Sequence, residues 1–284
     1  MIEFLPDALI PMSDPAPITI PEVHRERWLY WMCMGPAAVG WLAAYAFAIH
    51  RGLKDKRVGI PPLLVAVNFA WEFNLSIVLD QDTTQRHTNF YWALFNSLII
   101  YQTLKWGWKD FPKLTKRQFR AAFVGMFVWA SLMVVVGTNE LGDIPGVYTG
   151  TVINIPLSAA FIYMLHNRGS SAGQSMHIAV AKAIGSLFAG ITVYIEFPGH
   201  YLFFVLFPTI HVLDIIYIRM LHRRIRAEGH SPWAFNRPPV PDPYEAAPAS
   251  APAAPAGPDT PADRAATGAE AAADRPATGA EAAR

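Results

Sequence analysis

Cysteine and charge are what this sequence has least of. One cysteine, Cys33, stands in 284 residues. That excludes an internal disulfide framework and any zinc site built from cysteines. Set in an apolar stretch, Cys33 reads as a small buried residue. Charged residues make up 16% of the chain, against roughly 25% in an ordinary soluble domain. Lys and Arg (23) nearly balance Asp and Glu (22), leaving a net charge of +1. No global field therefore attracts nucleic acid, and no RNA- or DNA-binding signature is present. Also missing are an HExxH pair, a Gly-rich phosphate loop and the Asp-rich DDxxD of metal-dependent prenyl-diphosphate enzymes. His211 and Asp214 together offer two ligands at most, so no metal site is expected.

Apolar residues account for 52% of the chain and crowd into its first 222 positions. They fall into seven windows of membrane-spanning length: 28–50, 59–80, 89–107, 121–137, 147–166, 174–197 and 200–222. Trp28, Tyr30, Trp31, Tyr91, Trp92, Trp106 and Trp108 crowd the window ends as an interfacial aromatic belt does. The expected fold is all-α, a polytopic membrane bundle of seven transmembrane helices. Basic residues alternate between the connections. Arg51, Lys54, Lys56 and Arg57 follow the first window, and Lys109, Lys113, Lys116, Arg117 and Arg120 follow the third. Arg223, Arg224 and Arg226 follow the last, whereas 138–146 and 198–199 carry no Lys or Arg. The bias places the N-terminus outside and the C-terminus in the cytoplasm.

Two flanking segments differ from this domain at 28–222. Residues 1–27 hold Pro6, Pro11, Pro15, Pro17 and Pro21 and read as an extramembrane leader, not a signal peptide. Residues 223–284 begin as a basic juxtamembrane segment and turn to Ala, Pro, Asp, Glu and Gly. There ADRAATGAEAA (262–272) recurs as ADRPATGAEAA (273–283). Such a composition cannot bury a core and is expected to be a disordered tail. An Ala- and Pro-rich tail suits a bacterial cell membrane protein from a high-GC genome.

Ionisable groups within spans are costly, so each carries a functional hypothesis with a named partner. Glu72, Lys182 and Asp214 lie well inside the windows, whereas Asp80, Glu140 and Glu196 sit at outer boundaries and read as solvated. Glu72 belongs to NFAWEFN (68–74), where Asn68, Glu72, Ser76 and Asp80 recur every fourth residue as one inward-facing polar stripe. Phe69, Trp71 and Phe73 surround it, and a carboxyl group in such an apolar setting holds its proton and can act as an acid. The plainer reading is an interhelical hydrogen-bond knot of Glu and Asn. Asp214 lies in PTIHVLDIIY (208–217), sharing a helix face with His211 and Tyr217. Lys182 stands at a similar depth, so a Lys182–Asp214 ion pair is the plain alternative to a chemical role.

The size of the membrane core, the seven-helix plan, NFAWEFN on the second helix and a lone Asp followed by Tyr on the last resemble a known family. It is that of the integral-membrane terpene cyclases of fungal meroterpenoid and indole-diterpene biosynthesis, with actinobacterial relatives. The resemblance covers roughly 28–222. It implies a membrane-bound terpene cyclase, an isomerase or lyase of secondary metabolism working by acid-initiated cyclisation. The substrate would be a farnesyl or geranylgeranyl chain, with or without a terminal epoxide, on a hybrid scaffold. No metal, no cofactor and no loss of diphosphate are implied. Glu72 and Asp214 take the catalytic positions, and Asn68, Trp71, Phe73, His211 and Tyr217 are candidates for substrate or cation contact. The implied partners are a prenylated small molecule, the lipid bilayer, an upstream prenyltransferase and, for an epoxidised chain, an epoxidase. A competing class is a seven-helix transporter or receptor-like binder using Glu72, Lys182 and Asp214 for ion or proton coupling.

Overall fold

The computed structural model describes residues 27–81 and 83–240. The leader through residue 26 and the repeat tail from 241 lie outside the described residues. Each expected window falls on one helix: α1 Trp28–Asp55, α2 Pro62–Phe73, α3 Thr83–Trp106, α4 Lys116–Glu140, α5 Val147–Arg168, α6 Met176–Glu196 and α7 Phe203–Ala227. No β-strand occurs among the described residues. Local chemistry sets the boundaries. Pro62 occupies the first turn of α2, where its missing N–H costs nothing. Thr115 and Gln118 form a reciprocal capping box at the start of α4, and the Ser175 hydroxyl accepts the Ile178 N–H at the start of α6.

The second helix departs from the expected 59–80. Its last residues, Asn74–Val78, form a π-helical turn, so the regular stripe through Ser76 and Asp80 breaks just beyond Glu72. Asn74 bonds back to the Ala70 carbonyl at 2.6 Å, Arg86 takes the Ser76 carbonyl, and Asp80 is exposed. Such turns concentrate at functional sites.

Short connections alternate the helix directions, which brings the starts of α1, α3, α5 and α7 to the same end as the finishes of α2, α4 and α6. The closest pairing is α1 with α6. A Cβ on Gly40 would lie 2.7 Å from the Gly185 Cα, so these backbones meet as only small residues allow. Elsewhere α2 packs between α3 and α4, and α7 against α5 and α6.

The outer surface is apolar. On α4, Val124, Val128, Leu132 and Val136 recur every fourth residue and are each over half exposed, a stripe that water would disfavour and lipid accepts. Five helices, α1, α4, α5, α6 and α7, are long and apolar enough to cross a membrane, and Pro62–Val78 is a shorter apolar one. The apolarity of α3 is diluted by Gln85, Asn89, Asn96, Gln102 and Thr103, all of which are buried. Its exposed face carries Phe90, Tyr91, Leu94, Leu98 and Tyr101. Polar residues point in and apolar ones out, the reverse of a soluble amphipathic helix.

At the end where α1, α3, α5 and α7 finish, charges counted in the sequence as cytoplasmic loop markers turn out to be buried. Arg51 chelates Asp55 with two contacts of 2.6 Å. Arg168 chelates Asp110 at 2.8 and 2.5 Å, with Arg57 3.2 Å from the same carboxylate. The chain beyond α7 joins this layer, although composition assigns it to the tail. Arg237 donates to the Ser171 hydroxyl at 2.6 Å and to its carbonyl at 3.0 Å. Arg51 in turn donates to the carbonyls of Arg237 and Pro238, and the Val240 N–H reaches Asp55. Burial and the neighbouring Arg51 charge push the Arg237 guanidinium down to about 10, still protonated at neutral pH. Tail composition concealed this because scattered contacts hold residues 228–240 in place: Arg237, Glu228 on Ser171, and Phe235 against Phe47 and His50. Arg237→Met keeps an apolar stem but removes these donors. It should destabilise the detergent-solubilised protein by about 3–5 kcal/mol, as breaking a buried ionic network does. An unfolding temperature equal to the parent's would show the clasp contributes nothing.

Candidate functional site

Glu72 is 1% exposed, and three helices converge on its carboxyl group. Tyr45 of α1 donates its hydroxyl to Oε1 at 2.5 Å. Asn68, one turn back on α2, donates to the same oxygen at 2.9 Å, and Asn96 of α3 donates to Oε2 at 2.9 Å. Asn68 also donates to the Tyr45 hydroxyl at 2.5 Å, so the partners hold one another as well as the acid. The expected Glu–Asn knot exists, and it includes two residues the sequence reading passed over. Tyr45 and Asn96 were visible as polar groups inside apolar spans, which need partners there.

The knot borders a cavity of about 160 Å³. Its lining comes from the first two-thirds of α1, the first halves of α3, α5 and α7 and the second halves of α2 and α6, so it occupies the end opposite the buried arginines. Trp41, Tyr45, Trp71, Trp92, Phe197 and Phe207 contribute aromatic wall. Trp71 is clamped. Its indole N–H donates to the Gly146 carbonyl and the Thr149 hydroxyl, both at 3.2 Å. A Cβ on Gly150 would come within 3.0 Å of its ring. Gly146, at φ 70°, leaves the start of α5 without a capping side chain. Asp143 supplies one instead, accepting the Val147 and Thr149 N–H groups at 2.7 and 2.8 Å. Desolvation raises the Asp143 carboxyl above its ordinary range.

The predicted site residues divide into two groups. Glu72, Asn68 and Trp71 line the cavity, and Phe73, His211, Asp214 and Tyr217 are not among its lining residues. Phe73 packs on Phe69 and Phe127, His211 stacks on Phe207, and Tyr217 donates to Gln174 at 2.9 Å. Asp214 makes the ion pair held open as its plain reading. Lys182 Nζ donates to both its oxygens, at 2.8 and 3.0 Å, and to the Ser158 hydroxyl at 2.8 Å. Lys182 Nζ also lies 5.6 Å from the centre of the Trp41 ring, and Trp41 is cavity wall. Glu196, expected to be solvated, is 5% exposed and lines the cavity. Among the described residues no three of His, Cys, Asp and Glu group closely enough to hold a metal ion.

A membrane bundle that holds a hydrogen-bonded carboxyl beside an aromatic-walled cavity is suited to proton-initiated chemistry on hydrocarbon chains. Comparison with known proteins gives this class its family. The profile of the Pyr4-like transmembrane terpene cyclases matches residues 16–223, and the chain belongs to that family. Pyr4-family terpene cyclase mfmH of Annulohypoxylon moriforme is 29% identical over 157 residues, 52% of this chain and 63% of that one. The alignment with mfmH thus spans a little under two thirds of that protein. Terpene cyclase ascF of Acremonium egyptiacum is 26% identical over 230 residues, 69% of this chain and 83% of that one. Terpene cyclase pyr4 of Aspergillus fumigatus is 26% identical over 211 residues, covering 68% and 86% respectively. No solved structure matches the chain. Membership selects a terpene-cyclising membrane enzyme over the transporter or receptor-like alternative.

The clamp on Trp71 is open to test. Gly150→Val places branched carbon where the indole lies, so the ring must leave the wall while helix α5 keeps its own hydrogen bonds. Cyclisation should fall about 10- to 100-fold, as small misplacements in a reaction site do, with the protein level in membranes unchanged. Parental turnover from that variant would mean the position of Trp71 is immaterial.

Proposed function

We propose that the protein closes rings in a farnesyl or geranylgeranyl chain carried on a second scaffold, by proton donation from Glu72 and without a metal or other cofactor. The observation that carries this reading is the Glu72 carboxyl, buried at an aromatic cavity and held by Tyr45, Asn68 and Asn96. Glu72 gives its proton to a terminal epoxide oxygen, or to a terminal alkene carbon. The C–O bond, or the alkene π bond, breaks and leaves a tertiary cation. The next alkene's electron pair closes each ring and passes the charge along, until loss of a C–H proton to a base restores neutrality. The Glu72 carboxylate left after donation keeps its three hydrogen bonds, so no side chain has to reorganise as charge develops. Trp41, Trp71 and Trp92 offer ring faces to the cation without nucleophilic attack, and an apolar chamber keeps out water that would quench it.

Asp214 enters this scheme through Lys182. The ammonium lies 5.6 Å from the centre of the Trp41 ring, a ring that also lines the reaction cavity, and a bare positive charge there would oppose a carbocation. Asp214 cancels it. The same pairing explains why a carboxylate outside the cavity belongs to the working machinery.

All seven helices cross the membrane in this reading, α3 with its polar face inward. The Lys/Arg bias supports an N-terminus outside and a cytoplasmic C-terminus. Tail composition supports a bacterial cell membrane, while the relatives named above are fungal. An upstream prenyltransferase must supply the chain, with an epoxidase where the substrate is an epoxide.

Glu72→Gln retains size and hydrogen bonding but has no proton to give. Membranes containing it should convert a farnesyl- or geranylgeranyl-bearing compound, epoxidised or not, to its cyclic isomer about 10²–10⁴-fold more slowly than the parent. Equal rates at equal protein level would make Glu72 structural and the mechanism wrong.

The role of Asp214 separates in a double variant. Lys182→Met alone leaves a buried unpaired carboxylate and should cost about 3–5 kcal/mol of stability, while Asp214→Asn alone should slow turnover. Combining them removes both charges and should restore stability and much of the activity. A folded but inactive double variant would instead give Asp214 a direct part in proton transfer.

A further inference from the structure

Glu196 is the second carboxyl group on the cavity wall, and a helix ruler places it far from the first. Gly185 touches Gly40 where α6 crosses α1. Glu196 lies three turns further along α6, roughly 16 Å toward the end where α1 begins, at 1.5 Å per residue. Tyr30, another lining residue, stands at the same level when counted back along α1 from Gly40. Glu72 sits on the other side of the crossing, against Tyr45. The two carboxyls are therefore separated by roughly 16–24 Å along the bundle, a length comparable with an extended farnesyl or geranylgeranyl chain and the first atoms of its scaffold. Between them the wall is mainly aromatic and aliphatic. Around Glu196 it becomes more polar, with Gln85, Thr192 and Tyr30 also lining this region.

A prenyl chain on a scaffold has a hydrocarbon terminus that must meet the acid and a polar end that cannot enter an apolar chamber without a partner. Resting on the cyclase reading above, we propose that Glu196 recognises the scaffold end of the substrate by accepting a hydrogen bond from a hydroxyl group it carries. The acid at one end and the acceptor at the other then fix which alkene or epoxide reaches Glu72. Glu196 acts on register and affinity, and takes no proton from the cation.

The test uses the full-length protein in detergent and in membranes, with two probes: a phenol bearing a farnesyl chain with a terminal epoxide, and its methyl ether. Binding is read as the ligand-induced shift in unfolding temperature, and turnover as formation of the cyclic isomer. For the parent, the phenol should bind about tenfold more tightly than the ether, the effect of one hydrogen bond at a carboxyl group. Glu196→Ala should erase that preference by raising KM for the phenol about tenfold, with kcat little changed. Glu196→Gln keeps a carbonyl acceptor and should retain most of the preference, which also controls for folding. Equal binding of phenol and ether by the parent, or a preference that survives Glu196→Ala, overturns the proposal. So does a Glu196→Gln enzyme with normal KM and a kcat lowered 10²-fold or more, the signature of a general base. A parent that binds the phenol selectively but never cyclises it would refute the cyclase mechanism and leave recognition by Glu196 standing.

Discussion

Everything at the cavity end of this bundle depends on satisfying one carboxyl group that is only 1% exposed. A bare carboxyl in an apolar interior is expensive, and its cost falls only when donors surround it. Tyr45, Asn68 and Asn96 supply those donors from α1, α2 and α3. The requirement therefore fixes the relative rotation of three helices, because each must turn a polar side chain to the same point. Packing alone would not do this. Lipid tails are as apolar as the helices, so burial gives little preference for one rotation over another, and small residues and hydrogen bonds set the geometry instead.

The two ends of the bundle solve opposite problems. At the far end the buried Arg51, Arg57, Arg168 and Arg237 pair with buried Asp55 and the part-buried Asp110 and Glu228, tying the finishes of α1, α3, α5 and α7 and the strap after α7 into one layer. At the near end the helices enclose empty space. A cavity removes contacts that would otherwise hold its walls together, so rigidity has to come from elsewhere. The arginine layer, the Gly40–Gly185 crossing and the clamp on Trp71 each provide some. The proposed role of Glu72 as proton donor would benefit from that rigidity, since preorganised donors do no reorganisation work during reaction.

The sequence made the helices legible because hydropathy and Lys/Arg alternation are averages over many residues. It made Glu72 legible because an acid flanked by Phe69, Trp71 and Phe73 is rare, and the Lys182–Asp214 pair because their depths match. What escaped was which side chains meet between neighbouring helices. Tyr45 and Asn96 stand out as polar groups in apolar spans, but hydropathy does not say that they turn toward Glu72. Glu196 was misjudged for a related reason. Its position at a helix end suggested water, but α6 packs on α1 and α7 and Glu196 is buried. Phe73, His211 and Tyr217 do not line the cavity, since proximity along a helix to a key residue does not carry a side chain round to the same cavity. The π-helical turn at Asn74–Val78 changes the angular register directly after Glu72, and a fixed fourfold spacing cannot anticipate it.

Charge placement around Trp41 links the two carboxyls without contact between them. The indole belongs to the cavity wall, and the Lys182 ammonium lies 5.6 Å from the centre of its ring. A cation on one side of a π-system weakens what that ring can offer a second cation, because both draw on the same electron density. In a low-dielectric interior the penalty would reach the cavity almost unscreened. Asp214, held by two short contacts to the ammonium, turns that liability into a neutral pair. Its distance from the cavity then ceases to be a difficulty. Asp214, which does not line the cavity, can thus balance the Lys182 charge without meeting the cation.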